Sequence, residues 1–476
     1  MAAAQFMTRF FRSGARRKNL LVFHLESVAW QRLAAFPEAF PNLHRLMATS
    51  RVYRSYFSSA TSTQMTISAF MHGNDGELDA ASGISQPAGD TKSLFVTLQE
   101  AGYETAFLCA TATAKPMLPL LSASLPAVWS TNDFGDLIAQ FERHIEKTPF
   151  AIYIWNLLPH IETDLALAPF AESLEDLIGG ACAVTDTLLG RVLDILRRRG
   201  LLEETTVIVY GDHGDDHGTH GFKNGLLHGL EPFTPLVHTP LVISDADVPA
   251  GNDNRLASTV DLAPTCLDLI GLSGAGSQYP AGKSLTGTQV SSVVFSQNFT
   301  ANQQDAPHLD VRKCFAAIDR THALMVSSRG LELYGHKLDP GNHSNLLHHF
   351  ELADDGTLRL LAPRRRPHPH FNTVRHMWLR NDALQNTFAH LHGALRDHVA
   401  AKNAFVKARK NDGEALALLD LQMFHRINTC GRDSFFGRDE TRPEEALISA
   451  DPHRSENDGT VHRIWKTAAV AVADSQ

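Results

Sequence analysis

Two short apolar runs in this sequence end in residues that can hold a cation. Asn19–Leu25 is followed by Glu26, and Thr206–Tyr210 runs through Gly211 into Asp212-His213-Gly214. In open α/β sheets, ligands gather beyond the carboxyl ends of the strands, so an acid leaving a buried strand there is placed to bind a cation. Asp212 and His213 are adjacent, and the flanking glycines let the backbone turn both side chains toward one point. With Glu26 they supply an O,O,N donor set with a position left open, the pattern of a catalytic divalent ion. Glu26 taken alone could equally cap a following helix; beside Gly-Asp-His-Gly that reading loses force. A third element is Ser62-Thr63-Gln64-Met65-Thr66, which opens a predicted helix reaching Met71 and closing near Gly73. A hydroxyl there is either a helix cap or a nucleophile. Threonine attacks only when a metal lowers its pKa, and the helix N-terminus then offers amides to an anionic substrate.

The elements that must position these residues read as alternating strands and helices. Strands are expected at Asn19–Leu25, Thr105–Cys109, Phe150–Trp155, Thr206–Tyr210 and Pro240–Ile243. Leu174, Leu177, Ile178, Ala181, Val184, Leu188, Val192 and Ile195 recur at helical spacing, and further helices are expected over Lys92–Glu100 and Val260–Ile270, stopped by Gly102 and Gly271. This predicts an α/β fold, a mostly parallel central sheet with helices on both faces. After Gly282-Lys283-Ser284-Leu285 the pattern shifts to short strands at Val293–Ser296, Cys314–Asp319, Ala323–Ser327 and Leu331–Tyr334. They predict a small C-terminal antiparallel α+β subdomain. A helical tail follows around Ala383–Lys410, and its histidines His390, His392 and His398 are expected on a solvated face. The divisions expected are a basic arm at 1–17, a catalytic domain at 18–290, a subdomain at 291–362 and a helical extension with a polar tail at 363–476.

Composition narrows the class. The chain has 476 residues, 43% hydrophobic and 20% charged, with a net charge of −9, which gives no basic excess for a nucleic-acid partner. Its 5 cysteines are scattered singly, which suits free thiols in a reducing compartment. No apolar stretch is long enough to span a bilayer, and the arginines near the start are not followed by the apolar segment of a secretory signal. A soluble, cytoplasmic protein is expected. The sequon Asn298-Phe299-Thr300 then carries no meaning.

At this point the residues become recognisable. Asn19 to Ser27, with its His-Leu-Glu-Ser, resembles the opening metal motif of lipoteichoic acid synthases and phosphoethanolamine transferases, in the sulfatase-like branch of the alkaline-phosphatase superfamily. Their nucleophilic threonine is followed three residues on by a serine; here Thr66 follows Thr63. In sulfatases a glycine lies ten residues after the nucleophile, and Gly73 stands at that distance from Thr63. Thr61 and Ser62 are the fallback positions. Pro149-Phe150 through Pro159-His160 is similar to the family strand that ends in a substrate-contacting histidine. Asp212-His213-Gly214 with Gly218-Thr219-His220-Gly221 is similar to the sulfatase pattern, and Lys223 falls near its lysine. Leu227-His228-Gly229 resembles the Leu-His-Gly of the phosphoethanolamine transferases. His238-Thr239-Pro240-Leu241, Val260–Thr265, Gly282–Leu285 and Glu332-Leu333-Tyr334 continue the resemblance in order to about Leu347.

The resemblance implies an alkaline-phosphatase-like fold and one divalent ion on Glu26, Asp212, His213 and Thr63, with Zn²⁺ or Mn²⁺ favoured and Ca²⁺ or Mg²⁺ as other choices. His160 and His228 would contact the transferred group or protonate the leaving group; Thr66, His220, Lys223 and His238 are further substrate contacts. Sulfatases need Cys or Ser in a C/S-x-P-x-R frame for conversion to formylglycine, and Thr63-Gln64-Met65-Thr66-Ile67 lacks all of it. This implies phosphoryl transfer or phosphoester hydrolysis through a phosphothreonine, on a small-molecule or glycan phosphoester. His160 and Asp164 stand in the reverse order to the Asp-x-x-x-His pair of two-metal relatives, so a second ion is not expected. The alternatives are a sulfuric ester hydrolase without formylglycine and a non-catalytic scaffold module. Nothing in the sequence fixes the oligomeric state.

Overall fold

Strands that are predominantly apolar on both faces belong at the centre of a sheet, and three such runs lie side by side. A computed structural model describes residues 17–75, 77–78, 85–86, 92–110, 128–131, 133–160, 174–216, 220, 228–298, 313–361, 382–408 and 419–430. The strands of its main sheet are β1 (Asn19–Leu25), β2 (Arg51–Phe57), β3 (Glu104–Ala110), β4 (Val128–Thr131), β5 (Phe150–Asn156), β6 (Thr205–Gly211), β7 (Leu241–Ser244) and β8 (Gly251–Ser258). Their spatial order is β8-β2-β7-β6-β1-β5-β3-β4. Only β7 runs antiparallel to its neighbours. Strands β1, β5 and β6 are buried along their whole length.

Helices cover both faces, as the alternation along each strand requires. Leu21, Phe23 and Leu25 face α1 (Trp30–Ala35), α2 (Pro41–Ala48), α5 (Phe134–His144) and α6 (Leu174–Arg198). Leu20 and Val22 face α3 (Thr63–His72), α4 (Leu94–Glu100) and α7 (Leu262–Leu269). Gly73 closes α3 in the left-handed conformation, φ 57°, where a β-carbon would also collide with Tyr279. The strands not anticipated are β2, β4 and β8. Each carries polar or exposed positions, Arg54 in β2 and Gly251, Asn252 and Asn254 in β8 among them, and β4 and β8 are the edges of the sheet.

Four further strands, β9 (Val294–Gln297), β10 (Cys314–Ile318), β11 (Ala323–Ser327) and β12 (Gly330–Tyr334), make the small antiparallel sheet. The long helix α8 (Asp382–Ala408) lays Leu384, Phe388, Leu391, Leu395 and Val399 on one face of it. The solvated histidine face expected there holds only for His390. His392 Nε2 donates to Phe424 O, 2.9 Å away, and His398 stacks on Phe295 with ring centroids 4.1 Å apart. The other face of the small sheet packs on Phe57, Leu236 and Val237 of the main domain.

Candidate functional site

Register brings the acids together. In β1, Leu25 is level with Asn156 of β5 and with Gly211 of β6, so Glu26, Asp212 and the segment leading to His160 leave the sheet at one edge. Strand β2 ends at the same edge, and Ser58 to Ser62 carry the chain to Thr63, the first residue of α3. The glycines around Asp212-His213 are needed for close packing. A β-carbon on Gly211 would stand 2.4 Å from Val28 O, and one on Gly214 would stand 2.3 Å from Pro235 O.

Glu26, Thr63, Asp212 and His213 form one buried cluster. The Thr63 hydroxyl lies 3.2 Å from Glu26 Oε1 and 3.0 Å from His213 Nε2. His213 Nδ1 sits 3.0 Å from Gly214 O; a donor there leaves Nε2 as a bare lone pair. Asp212 Oδ1 accepts from the amides of Ser27, 2.9 Å, and His213, 2.7 Å. Ser27 adopts φ 55°, an unusual conformation for serine, to make that bond. Glu26 Oε2 accepts from the Trp155 indole at 2.6 Å, and Oε1 from Ser27 Oγ at 3.1 Å. Asp212 Oδ2, by contrast, faces His24 Nε2 at 3.1 Å without hydrogen-bond geometry, although both atoms are wholly buried.

Burial and the neighbouring Asp212 charge push the Glu26 carboxyl well above its usual range, against the Trp155 bond that lowers it. Burial acts the same way on Asp212, but the imidazoles of His213 and His24 and the Ser27 amide outweigh it and hold that carboxyl low. Two buried carboxyls with an imidazole between them, and one oxygen unbonded, fit a divalent cation, which would offset the charge that the surroundings do not.

A second layer stands beside the cluster. The His228 ring stacks on His213, centroids 4.7 Å apart, and meets His160 edge-on at 4.8 Å. His228 Nδ1 lies 3.0 Å from Asp215 Oδ1, and Arg32 Nη2 donates to Asp215 Oδ2 at 2.8 Å. Burial would raise the Asp215 carboxyl, but His228 and Arg32 overcome it and keep it ionised. Burial, reinforced by His228, lowers His160 to about 3, so its imidazole is neutral near pH 7.

The other expected residues are placed elsewhere. Thr66 Oγ1 is 3.1 Å from Ser62 O and 3.3 Å from Asp212 O, so it braces the backbone behind the cluster. His220 spends both ring nitrogens, on Asp216 at 2.5 Å and on Asn342 O at 3.2 Å, and stacks on Phe233. His238 Nε2 is 2.9 Å from Arg54 O, with its ring against Phe57. Of the fallback hydroxyls, Thr61 Oγ1 donates to Leu230 O at 2.9 Å, and Ser62 is the N-cap residue of α3 without a side-chain cap bond. Lys223 lies outside the described residues. His24, Trp155, Arg32 and Asp215 were not anticipated. A signal for His24 exists in the sequence, since His24-x-Glu26 puts both side chains on one face of a strand.

The family model "Sulfatase" matches residues 18–272, more than half of the chain. Arylsulfatase K of Danio rerio is 36% identical over 96 residues, 20% of this chain and 18% of that protein. Lipoteichoic acid synthase 2 of Bacillus subtilis (strain 168) is 27% identical over 116 residues, 23% of this chain and 18% of that protein. The chain thus matches less than a fifth of the length of either relative. Among solved structures, an alkaline-phosphatase superfamily protein from Vibrio parahaemolyticus superposes with a TM-score of 0.53 at 17% identity, covering 83% of this chain and 89% of that one. At that identity the likeness concerns the fold.

Proposed function

Since the chain belongs to the sulfatase family, in the sulfatase-like branch of the alkaline-phosphatase superfamily, we propose that it is a metal-dependent phosphoester hydrolase or phosphoryl transferase. It acts through a phosphothreonine on Thr63. The observation that carries this reading is the Thr63 hydroxyl, 3.0 Å from His213 Nε2 and 3.2 Å from Glu26 Oε1 at the start of α3. Glu26, Asp212, His213 and Thr63 would hold one divalent ion, of the Zn²⁺ or Mn²⁺ type by donor chemistry. When bound, the ion supplies a lower pKa for the hydroxyl and offsets charge on the phosphoryl oxygens.

The Thr63 hydroxyl has one proton, which it can give to Glu26 Oε1 or His213 Nε2; with a cation held by those groups the proton would leave to solvent, freeing the oxygen to attack. The positive end of α3 favours the incoming anion. His160, neutral near pH 7, donates a hydrogen bond to a phosphoryl oxygen. His228, oriented by Asp215, gives its proton to the leaving oxygen and takes one from the water or alcohol that later releases the phosphothreonine. Threonine cannot become formylglycine, so hydrolysis through that aldehyde is closed to this chain. The substrate class is a small-molecule or glycan phosphoester. No helix among the described residues is long and apolar enough to cross a membrane, and the five cysteines are unpaired, which fits a reducing compartment such as the cytoplasm. The same reading assigns catalysis to 18–290, with 291–362 as a subdomain and 363–476 as an extension.

The test is covalent trapping. Protein incubated with radiolabelled phosphomonoesters and phosphodiesters, and separately with sulfate esters, is quenched in acid and mapped by peptide mass spectrometry. Labelled phosphate on the peptide holding Thr63 is expected. A sulfuryl adduct there would establish sulfate-ester chemistry instead, the reading that the arylsulfatase K match favours. Phosphate on another residue, or turnover with no adduct and no effect of Thr63 replacement, would remove the mechanism.

A further inference from the structure

The mechanism leaves one buried imidazole unused. His24 projects from β1 two residues before Glu26, on the same face of the strand, and is wholly buried. Parallel register sets it level with Trp155 of β5 and Tyr210 of β6. Its ring stacks on Trp155 with centroids 5.7 Å apart and stands 5.3 Å from the Tyr210 ring. Nδ1 lies 2.8 Å from the Tyr153 hydroxyl, which meets the Tyr210 hydroxyl at 2.5 Å. The ring is therefore fixed in orientation.

Its other nitrogen points at the acids. Nε2 is 3.1 Å from Asp212 Oδ2 and 3.6 Å from Glu26 Oε2, yet the shorter approach lacks hydrogen-bond geometry and neither Nε2 nor Asp212 Oδ2 has a well-directed partner elsewhere. A donor atom of each of His24, Glu26 and Asp212 lies within 4.8 Å of the others. A buried ring nitrogen without a partner is costly, and an apolar side chain would fill this aromatic cage without that cost. An imidazole whose far nitrogen is bonded to an outer group, and whose near nitrogen is aimed at two buried carboxylates, has the arrangement of a metal ligand.

We propose that His24 Nε2 is a further ligand of the cation held by Glu26, Asp212 and His213, so that the donor set contains two imidazoles. This rests on the reading of those three residues as the cation site. The Tyr153–Tyr210 hydroxyl pair is then the outer support of the new ligand. A second nitrogen donor shifts preference from Ca²⁺ and Mg²⁺, which take oxygen, toward Zn²⁺.

The experiment uses the full chain freed of metal, titrated separately with Zn²⁺ and Ca²⁺, with X-ray absorption recorded on the Zn²⁺-loaded protein. Two imidazoles are expected in the wild-type scattering and one in His24→Leu. His24→Leu should weaken Zn²⁺ binding by about 100-fold or more while changing Ca²⁺ binding little. Tyr153→Phe keeps the ring and removes the hydroxyl, and should weaken Zn²⁺ binding by roughly tenfold. If His24→Leu does not fold, Tyr153→Phe and the wild-type scattering decide. One imidazole in the wild type, or wild-type Zn²⁺ affinity in folded His24→Leu, overturns the proposal and leaves the three-residue site standing. A wild type that binds neither ion overturns both.

Discussion

Replacing Thr63 separates a nucleophile from a helix cap. Thr63→Ala removes a hydroxyl bonded at 3.2 Å to Glu26 Oε1 and at 3.0 Å to His213 Nε2. The single proton of that hydroxyl makes one such bond, which contributes about 0.5–1.5 kcal/mol to stability, and alanine returns part of that through its higher helix propensity at the first position of α3, roughly 0.5 kcal/mol. The fold should therefore survive, with thermal unfolding shifted by a few degrees. Activity should not. Removing an attacking group and a metal ligand together lowers kcat by about 10⁴–10⁶. Thr63→Ser keeps the hydroxyl and should stay within about a hundredfold of wild type, with the label now on serine. Thr61→Ala, whose hydroxyl is spent on Leu230 O, and Thr66→Ala, whose hydroxyl holds the carbonyls of Ser62 and Asp212, should each cost no more than roughly ten- to a hundredfold. Initial rates on a chromogenic aryl phosphate panel, with circular dichroism of each variant, read all of this. Near-normal turnover in folded Thr63→Ala would falsify the covalent route.

Other outcomes follow from the same coordinates. Exhaustive chelation should abolish turnover and Zn²⁺ or Mn²⁺ should restore it; activity indifferent to chelator, with no metal in elemental analysis, counts against the site. Trp155→Phe deletes the 2.6 Å indole bond to Glu26 Oε2 and should weaken Zn²⁺ binding by about 10–100-fold, measured by calorimetry; unchanged affinity would show that this bond does not support the ligand. Burial lowers His336 to about 4 and His398 to about 3. Their folded pKa values lie below the unfolded one, near 6.5, so their contribution is complete above pH 6.5 and is lost as pH falls toward 4. The loss is at most about 1.4 kcal/mol per pH unit for each. Urea midpoints of His336→Gln and His398→Gln should fall less steeply than wild type between pH 6.5 and 4.5; parallel slopes refute it.

The central part of this fold was readable because burial writes itself into the chain. Strands β1, β5 and β6, enclosed on both faces, are mostly apolar along their length, and the ends of β1 and β6 name Glu26 and Asp212 directly. Helix α3 was bracketed by its hydroxyls and by Gly73. Strands β4 and β8 were not readable, because an edge strand half in water has no reason to be apolar. The histidines show a different limit. His220 and His238 lie in motifs, yet their nitrogens go to Asp216, Asn342 O and Arg54 O. His24 lies in a strand, where an imidazole looks like an irregular core residue until the cross-strand register shows Trp155 and Tyr210 beside it. Side-chain partners across sheets depend on register, and register is not a local property of sequence.

The C-terminal subdomain enters the site by the same non-local route. Gln297, at the end of β9, donates its amide to Ser59 O at 3.1 Å and accepts from the Thr61 amide at 3.1 Å. The small sheet thus continues its hydrogen bonding onto the loop that delivers Thr63. Gly229 N closes the other side of that loop on Thr61 O at 2.7 Å, next to His228. The loop before Thr63, the residue after His228 and the C-terminal sheet are therefore tied together through the backbone of Ser59 and Thr61. Helix α8 closes the far face of that sheet through Leu391, Leu395 and Val399, and it also reaches past α3, where Lys402 Nζ donates to Asp75 O at 2.6 Å. Positioning Thr63 is then a property of the whole chain from β1 to α8, and loosening the small sheet should act on Thr63 through the loop at Ser59 to Thr61 before it acts on Glu26, Asp212 and His213, which follow the central strands β1 and β6.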